Sequence, residues 1–139
     1  VKDLDFGRGQ IMVREGKGDK DRAVPLPERL RKRLREQVEH AAHLHRRDLA
    51  KGFGRVWLPG ALDRKYPNAE TDLAWQYLFP SSRLSTDPRA DGEERHIKRR
   101  HHLHENMIQK QVRKAVLSAG ITKKASCHTL RHSFATHLL

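Results

Sequence analysis

The chain has 139 residues, room for one compact domain, and its 36% apolar content allows only a modest core. Lys and Arg number 29 against 17 Asp and Glu, a formal charge of +12 that makes a polyanion, nucleic acid first, the natural partner. Cys127 is the single cysteine, which excludes an internal disulfide and a multi-cysteine metal centre, and no apolar run is long enough to cross a bilayer, so no membrane partner is expected.

In chain order, "VKDLDFGRGQ" lacks an initiator Met and a signal-peptide core, which suggests a fragment of a cytoplasmic protein. "QIMVRE", the turn chemistry of "GKGDKD" and the alternation of "RAVPLP" predict a β-hairpin over 10–25, with Lys17 and Lys20 near its tip. A long amphipathic helix follows over 27–52, because Leu30, Leu34, Val38, Ala41, Ala42, Leu44 and Leu49 keep helical spacing while Arg31, Arg35, Glu36 and Arg46 take other faces. From 53 to 104 prolines mix with Trp75, Tyr77 and Phe79, which predicts loops around a short helix at 71–77 capped by Thr71 or Asn68. The polar, charge-dense stretch after Pro80 reads as a solvated loop unless a ligand orders it. The last segment, 105–139, predicts two helices. The first carries Ile108, Val112, Ala115 and Val116 and stops at Gly120; the second starts around His128 and buries Leu130, Phe134 and Leu138. "FATHLL" ends the chain without a cap.

The chemistry concentrates in "HTLRH". His128, Arg131 and His132 are three and four residues apart, so a helix presents them from neighbouring positions. Arg131 offers two directed, permanently charged donors to a phosphate, and His128 can donate a hydrogen bond or move a proton near neutral pH. The competing reading makes them polar helix-start residues that cap backbone. A zinc helix would need a Glu beside the first His, where Thr129 stands, and Arg99 and Arg100 beside His101 repel a cation; no metal and no cofactor is expected.

"HTLRHSFATHLL" resembles the second conserved box of the tyrosine recombinases, the phage-integrase-like enzymes that break and rejoin DNA, and "GKGDKDRAVPLP" resembles their catalytic β-hairpin. "LPGALDRKYPNAETDLAWQYLFPS", "STDPR" and "RRHH" resemble the insertion of the integron integrases, although extra residues around "ADGEERHIK" depart from that pattern. The resemblance implies an α+β, mainly helical fold: a partial recombinase catalytic domain over 1–139, with a small hairpin sheet and an integron-type insertion at 53–104. It implies a bacterial, nucleoid-associated enzyme that recombines gene cassettes through a 3′-phosphotyrosyl intermediate without a metal, as a tetramer on attachment sites that include folded single strands.

Residue by residue, the resemblance makes Arg131 a phosphate clamp, His128 its hydrogen-bonding neighbour and Lys17 the acid for the departing 5′-oxygen, with Lys20 the rival for that role. His132 buttresses the site. Trp75, Pro88, Arg100, His101 and His102 fall where bases flipped out of the folded strand are held, and stacking on such planes is worth about 1–3 kcal/mol per base. The family's first catalytic arginine would precede Val1 and its nucleophilic tyrosine would follow Leu139, so this polypeptide is expected to be inactive alone, with an uncovered apolar face that favours self-association. The alternative is a non-enzymatic, basic nucleic-acid-binding module.

Overall fold

The computed structural model describes residues 1–14, 18–58, 61–86 and 96–137, the side chain of Asp63 apart. They fall into two compact units, residues 1–102 and 103–139.

The first unit opens with a three-stranded antiparallel sheet in the order β1-β2-β3, formed by β1 (Leu4–Asp5), β2 (Gln10–Val13) and β3 (Arg22–Pro25). The predicted hairpin is β2 against β3, with Ile11 opposite Val24 and Val13 opposite Arg22; the edge strand β1 is too short to show any alternation. Arg14 ties the legs of the hairpin together: its Nε donates to Asp3 at 3.0 Å and its Nη1 to Asp21. Both carboxylates hold the Arg14 guanidinium above its ordinary pKa, the bond to Asp3 being the larger cause.

Helix α1 (Glu28–Leu49) starts one residue after Pro27 and ends where Gly52 turns left-handed at φ 79°. There the Gly52 amide bonds Leu49 O and the Phe53 amide bonds Asp48 O, closing the last turn as a glycine-ended helix does. Its inward stripe runs Leu34, Val38, Ala41, His45, Asp48 at helical spacing, with Ala41 and Ala42 in the core beside Leu26, Val56 and Ala69. Leu30 and Leu49, read from the sequence as part of that stripe, stay exposed at 38% and 40%. The first half of α1 holds the sheet: Arg35 stacks over the Phe6 ring at 5.0 Å, and Arg31 Nη1 donates to Phe6 O.

Beyond α1 the structure corrects several expectations. A short helix, α2 (Ala61–Lys65), stands where loops were predicted. The helix predicted at 71–77 is instead two single 3-10 turns, Ala69–Thr71 and Leu73–Trp75. The second is capped by Asp72, whose carboxylate accepts the Ala74 amide at 2.9 Å; neither Thr71 nor Asn68 makes that bond. An aspartate in the middle of the segment competes with the helix by bonding its own backbone two residues on, which breaks the run in two. The stretch after Pro80 is not all solvated loop, since β4 (Ser85–Thr86) pairs antiparallel with β5 (Lys98–Arg99), and Arg99 is buried.

The second unit contains α3 (Glu105–Ser118) and α4 (Cys127–His137). His104 caps α3 by accepting the Asn106 amide on Nδ1, and Gly120, at φ 66°, ends it. Neither helix has a buried residue; Leu130 and Phe134, expected inside, are exposed at 55% and 41%. Leu138 lies outside the described residues. No helix among the described residues is long and apolar enough to cross a membrane.

Candidate nucleic-acid interface

Residues 103–139 carry six Lys and Arg and a single carboxylate, Glu105, so nearly all of this unit's positive charge lacks an internal counter-ion. The first unit, by contrast, spreads ion pairs over its surface, including Arg14 with Asp3 and Asp21, Arg31 with Glu28, and Arg55 with Glu70.

The start of α4 is built by Ser126 and Thr129. The Thr129 amide donates to Ser126 Oγ at 3.4 Å while the Ser126 amide donates to Thr129 Oγ1 at 3.2 Å, a reciprocal cap. Capping is therefore not the task of His128 or Arg131. Arg131 is exposed and makes no hydrogen bond or ion pair among the described residues. His128 and His132, both exposed, face each other one turn apart, Nε2 to Nε2 at 2.9 Å with the rings at 81°. Beside them opens a cleft of about 820 Å³, lined by Arg113, Lys123, Lys124 and His128 over an apolar floor of Val116, Leu117 and Ile121.

Lys17 and Pro88 lie outside the described residues. Lys20 is exposed in the connection between β2 and β3, two positions after Gly18 and directly after Asp19, whose φ is 57°.

The predicted base-contacting residues divide into three settings. Trp75 is half-buried on the second 3-10 turn, with Lys2 Nζ 4.5 Å above its ring and Tyr66 at 5.8 Å and 42°. It forms the wall between two grooves, of about 420 Å³ and 290 Å³. His102 is exposed and sits edge-on to Tyr77 at 5.2 Å, and His101, half-buried, accepts the Ser81 amide on its carbonyl. Arg100 is different: its Nε and Nη2 grip both oxygens of Asp48 on α1, and its Nη1 donates to Ser81 O at 2.6 Å. With side-chain exposures of 10% and 5%, Arg100 and Asp48 form a buried pair, and the bond to Asp48 raises the guanidinium pKa against the opposing effect of burial.

Sequence reasoning missed three participants. Tyr66 meets Trp75 from nine positions earlier, a contact that no spacing in the sequence marks. The Lys2 contact leaves no local mark. The Ser126–Thr129 cap was visible as Ser-x-x-Thr, with Thr in place of the more familiar Glu.

The α+β first unit, and a helical second unit in which six bases outnumber one carboxylate and Arg131 stands unneutralised at a helix start, fit the class of proteins that handle a polyanion. The phage integrase family profile matches residues 1–139, and the chain belongs to that family, the tyrosine recombinases. It is 51% identical over all 139 residues to an "Integrase/recombinase" of Escherichia coli and equally to one of Pseudomonas aeruginosa, covering 40% of each. It is 30% identical over its full length to a "Tyrosine recombinase" of Pseudothermotoga lettingae, covering 32% of that protein. The chain thus spans well under half of the relatives it matches.

Proposed function

We propose that residues 1–139 form the DNA-binding part of the catalytic domain of an integron-type tyrosine recombinase. The observation that carries this reading is the uncompensated Arg131 beside His128 at a capped helix start, within a unit holding one carboxylate. Arg131 grips the non-bridging oxygens of the scissile phosphate, where fixed donors matter most as charge shifts in the transition state. His128 hydrogen-bonds the same phosphate, and Lys17 or Lys20 protonates the departing 5′-oxygen. The complete enzyme forms a 3′-phosphotyrosyl bond and works as a tetramer on DNA; the exposed Leu117, Leu130 and Phe134 supply apolar surface for self-association.

Integron-type specificity rests on Trp75, His101 and His102. Trp75 lines two grooves, one with Lys2 and the other with Lys65 among its lining residues, and His102 adds a second ring beside Tyr77. Pro88 completes this set in the proposal. Arg100 serves it indirectly, by fixing the Ser81 and His101 backbone. Tyr66 and Tyr77 precede the His128–Arg131 box, the wrong side for the family's nucleophile, and the 139-residue polypeptide binds attachment-site DNA without cutting it.

The test is fluorescence anisotropy with a folded single-stranded attachment site bearing unpaired bases, and with the matching perfect duplex. Binding that falls steeply with salt and favours the folded strand supports the proposal. A flat salt response overturns the phosphate reading. Equal affinity for the two substrates overturns the integron-type assignment and leaves a recombinase fragment that does not distinguish a folded strand from duplex. For catalysis, this segment is exchanged for the matching segment of the Escherichia coli relative; a suicide substrate must then trap a covalent adduct that disappears on Arg131→Ala.

A further inference from the structure

The same helix start holds a feature that phosphate binding does not use up. His128 and His132 bring their Nε2 atoms to 2.9 Å, so the lone pair of one ring meets the N–H of the other. We propose that this pair is a bidentate chelating site for a divalent cation of tetragonal preference, Ni²⁺ or Cu²⁺, with water completing the coordination shell.

The distance decides the kind of ion. With metal–nitrogen bonds of about 2.0–2.1 Å, two nitrogens 2.9 Å apart subtend roughly 90° at the metal, and a tetrahedral ion would need them about 3.3 Å apart. A right angle is the cis angle of square-planar and tetragonal sites, the geometry of Cu²⁺ and Ni²⁺. A helix supplies it without distortion, because residues four apart stand one above the other. The Ser126–Thr129 cap fixes the turn from which His128 projects. Cys127 is not a third ligand, since consecutive helix positions diverge.

A zincin helix needs a glutamate where Thr129 stands, and Arg99 and Arg100 oppose a cation at His101; chelation at His128 and His132 needs only two neutral imidazoles. On binding, the shared proton moves from Nε2 to Nδ1 of its own ring, so a neutral pair releases none and a protonated pair releases one. Arg131, Lys123 and Lys124 nearby repel the ion and weaken the site without removing its ligands. Where the chain acts as proposed above, the bound ion takes the Nε2 of His128 away from the phosphate, so metal and DNA compete.

The experiment is calorimetric titration of the 139-residue protein with Ni²⁺ at about pH 7.5, with electron paramagnetic resonance of the Cu²⁺ form. The expected result is one site with a tetragonal spectrum coupled to two imidazole nitrogens. His128→Gln and His132→Gln each lose at least tenfold in affinity, while His40→Gln and His43→Gln lose none, and circular dichroism reports an unchanged fold in all four. Undiminished binding by either His128→Gln or His132→Gln overturns the site, as does a spectrum with one imidazole nitrogen. The DNA arm is separate: one equivalent of Ni²⁺ weakens DNA binding by the wild type and not by His132→Gln. Chelation without that effect upholds the metal site and removes His128 from the phosphate-binding role.

Discussion

Replacing Arg100 by alanine separates two uses of a basic side chain. The guanidinium touches both oxygens of Asp48 and the Ser81 carbonyl, and the carboxylate is 5% exposed at the inward stripe of α1. Arg100→Ala leaves that carboxylate buried without its partner, and breaking a buried pair from one side costs about 3–5 kcal/mol. A domain of this size holds only about 5–15 kcal/mol in total, so the loss corresponds to a fall in Tm of roughly 10–20 °C. Urea titration followed by circular dichroism measures it. The double variant Asp48→Asn, Arg100→Gln recovers most of the loss because no charge remains buried. The sign of the pKa shift adds a check: the raised guanidinium pKa keeps the pair's contribution intact below the ordinary arginine range, to be lost only as pH rises through the raised value. The gap between wild type and variant therefore stays constant from about pH 7 to 11. A loss under about 1 kcal/mol, the scale of an exposed pair, accompanied by weaker DNA binding, refutes this reasoning and returns Arg100 to the DNA.

Arg131→Ala should leave the urea midpoint unchanged while lowering DNA affinity and reducing the slope of log K against log salt by about 1, as loss of one phosphate contact does; Arg131→Lys restores charge without the bidentate fork and recovers only part, measured by anisotropy. Trp75→Ala should weaken binding of the folded strand by about 1–3 kcal/mol and leave duplex binding unchanged in the same assay. Gly54→Ala should destabilise the first unit by about 1–3 kcal/mol in urea, because its new Cβ would collide with the Leu49 side chain and lie 2.9 Å from the Leu49 amide nitrogen.

What the sequence disclosed depended on how far away each partner lay. The long helix and the hairpin were legible because their signals are local: apolar spacing from Leu34 to Ala42, and turn residues between two short strands. The lower half of the α1 stripe was not legible, because it passes from Ala41 to His45 and Asp48, which no hydrophobic pattern marks as inward. Their partners, Thr71 O for His45 at 2.8 Å and Arg100 for Asp48, arrive from 26 and 52 positions further along. The β4–β5 pair was hidden for the same reason, since two-residue strands gain order only from each other. In α4 the spacing of His128, Arg131 and His132 was plain, yet its freedom from capping duty required seeing Ser126 and Thr129 bond each other.

Net charge alone could not have sorted these arginines. Arg14, Arg100 and Arg131 contribute equally to the formal +12, but the first two are matched to carboxylates contributed by distant segments, Asp3 and Asp48 among them. A matched guanidinium releases little when it meets a phosphate, because it must first surrender its carboxylate. An unmatched one gains the whole charge-assisted bond. Residues 103–139 have a single acid with which to match six bases, so their positive charge cannot be spent internally however the helices pack. It is this local shortage of carboxylates, more than the overall excess of bases, that leaves Arg131 available to an anionic ligand.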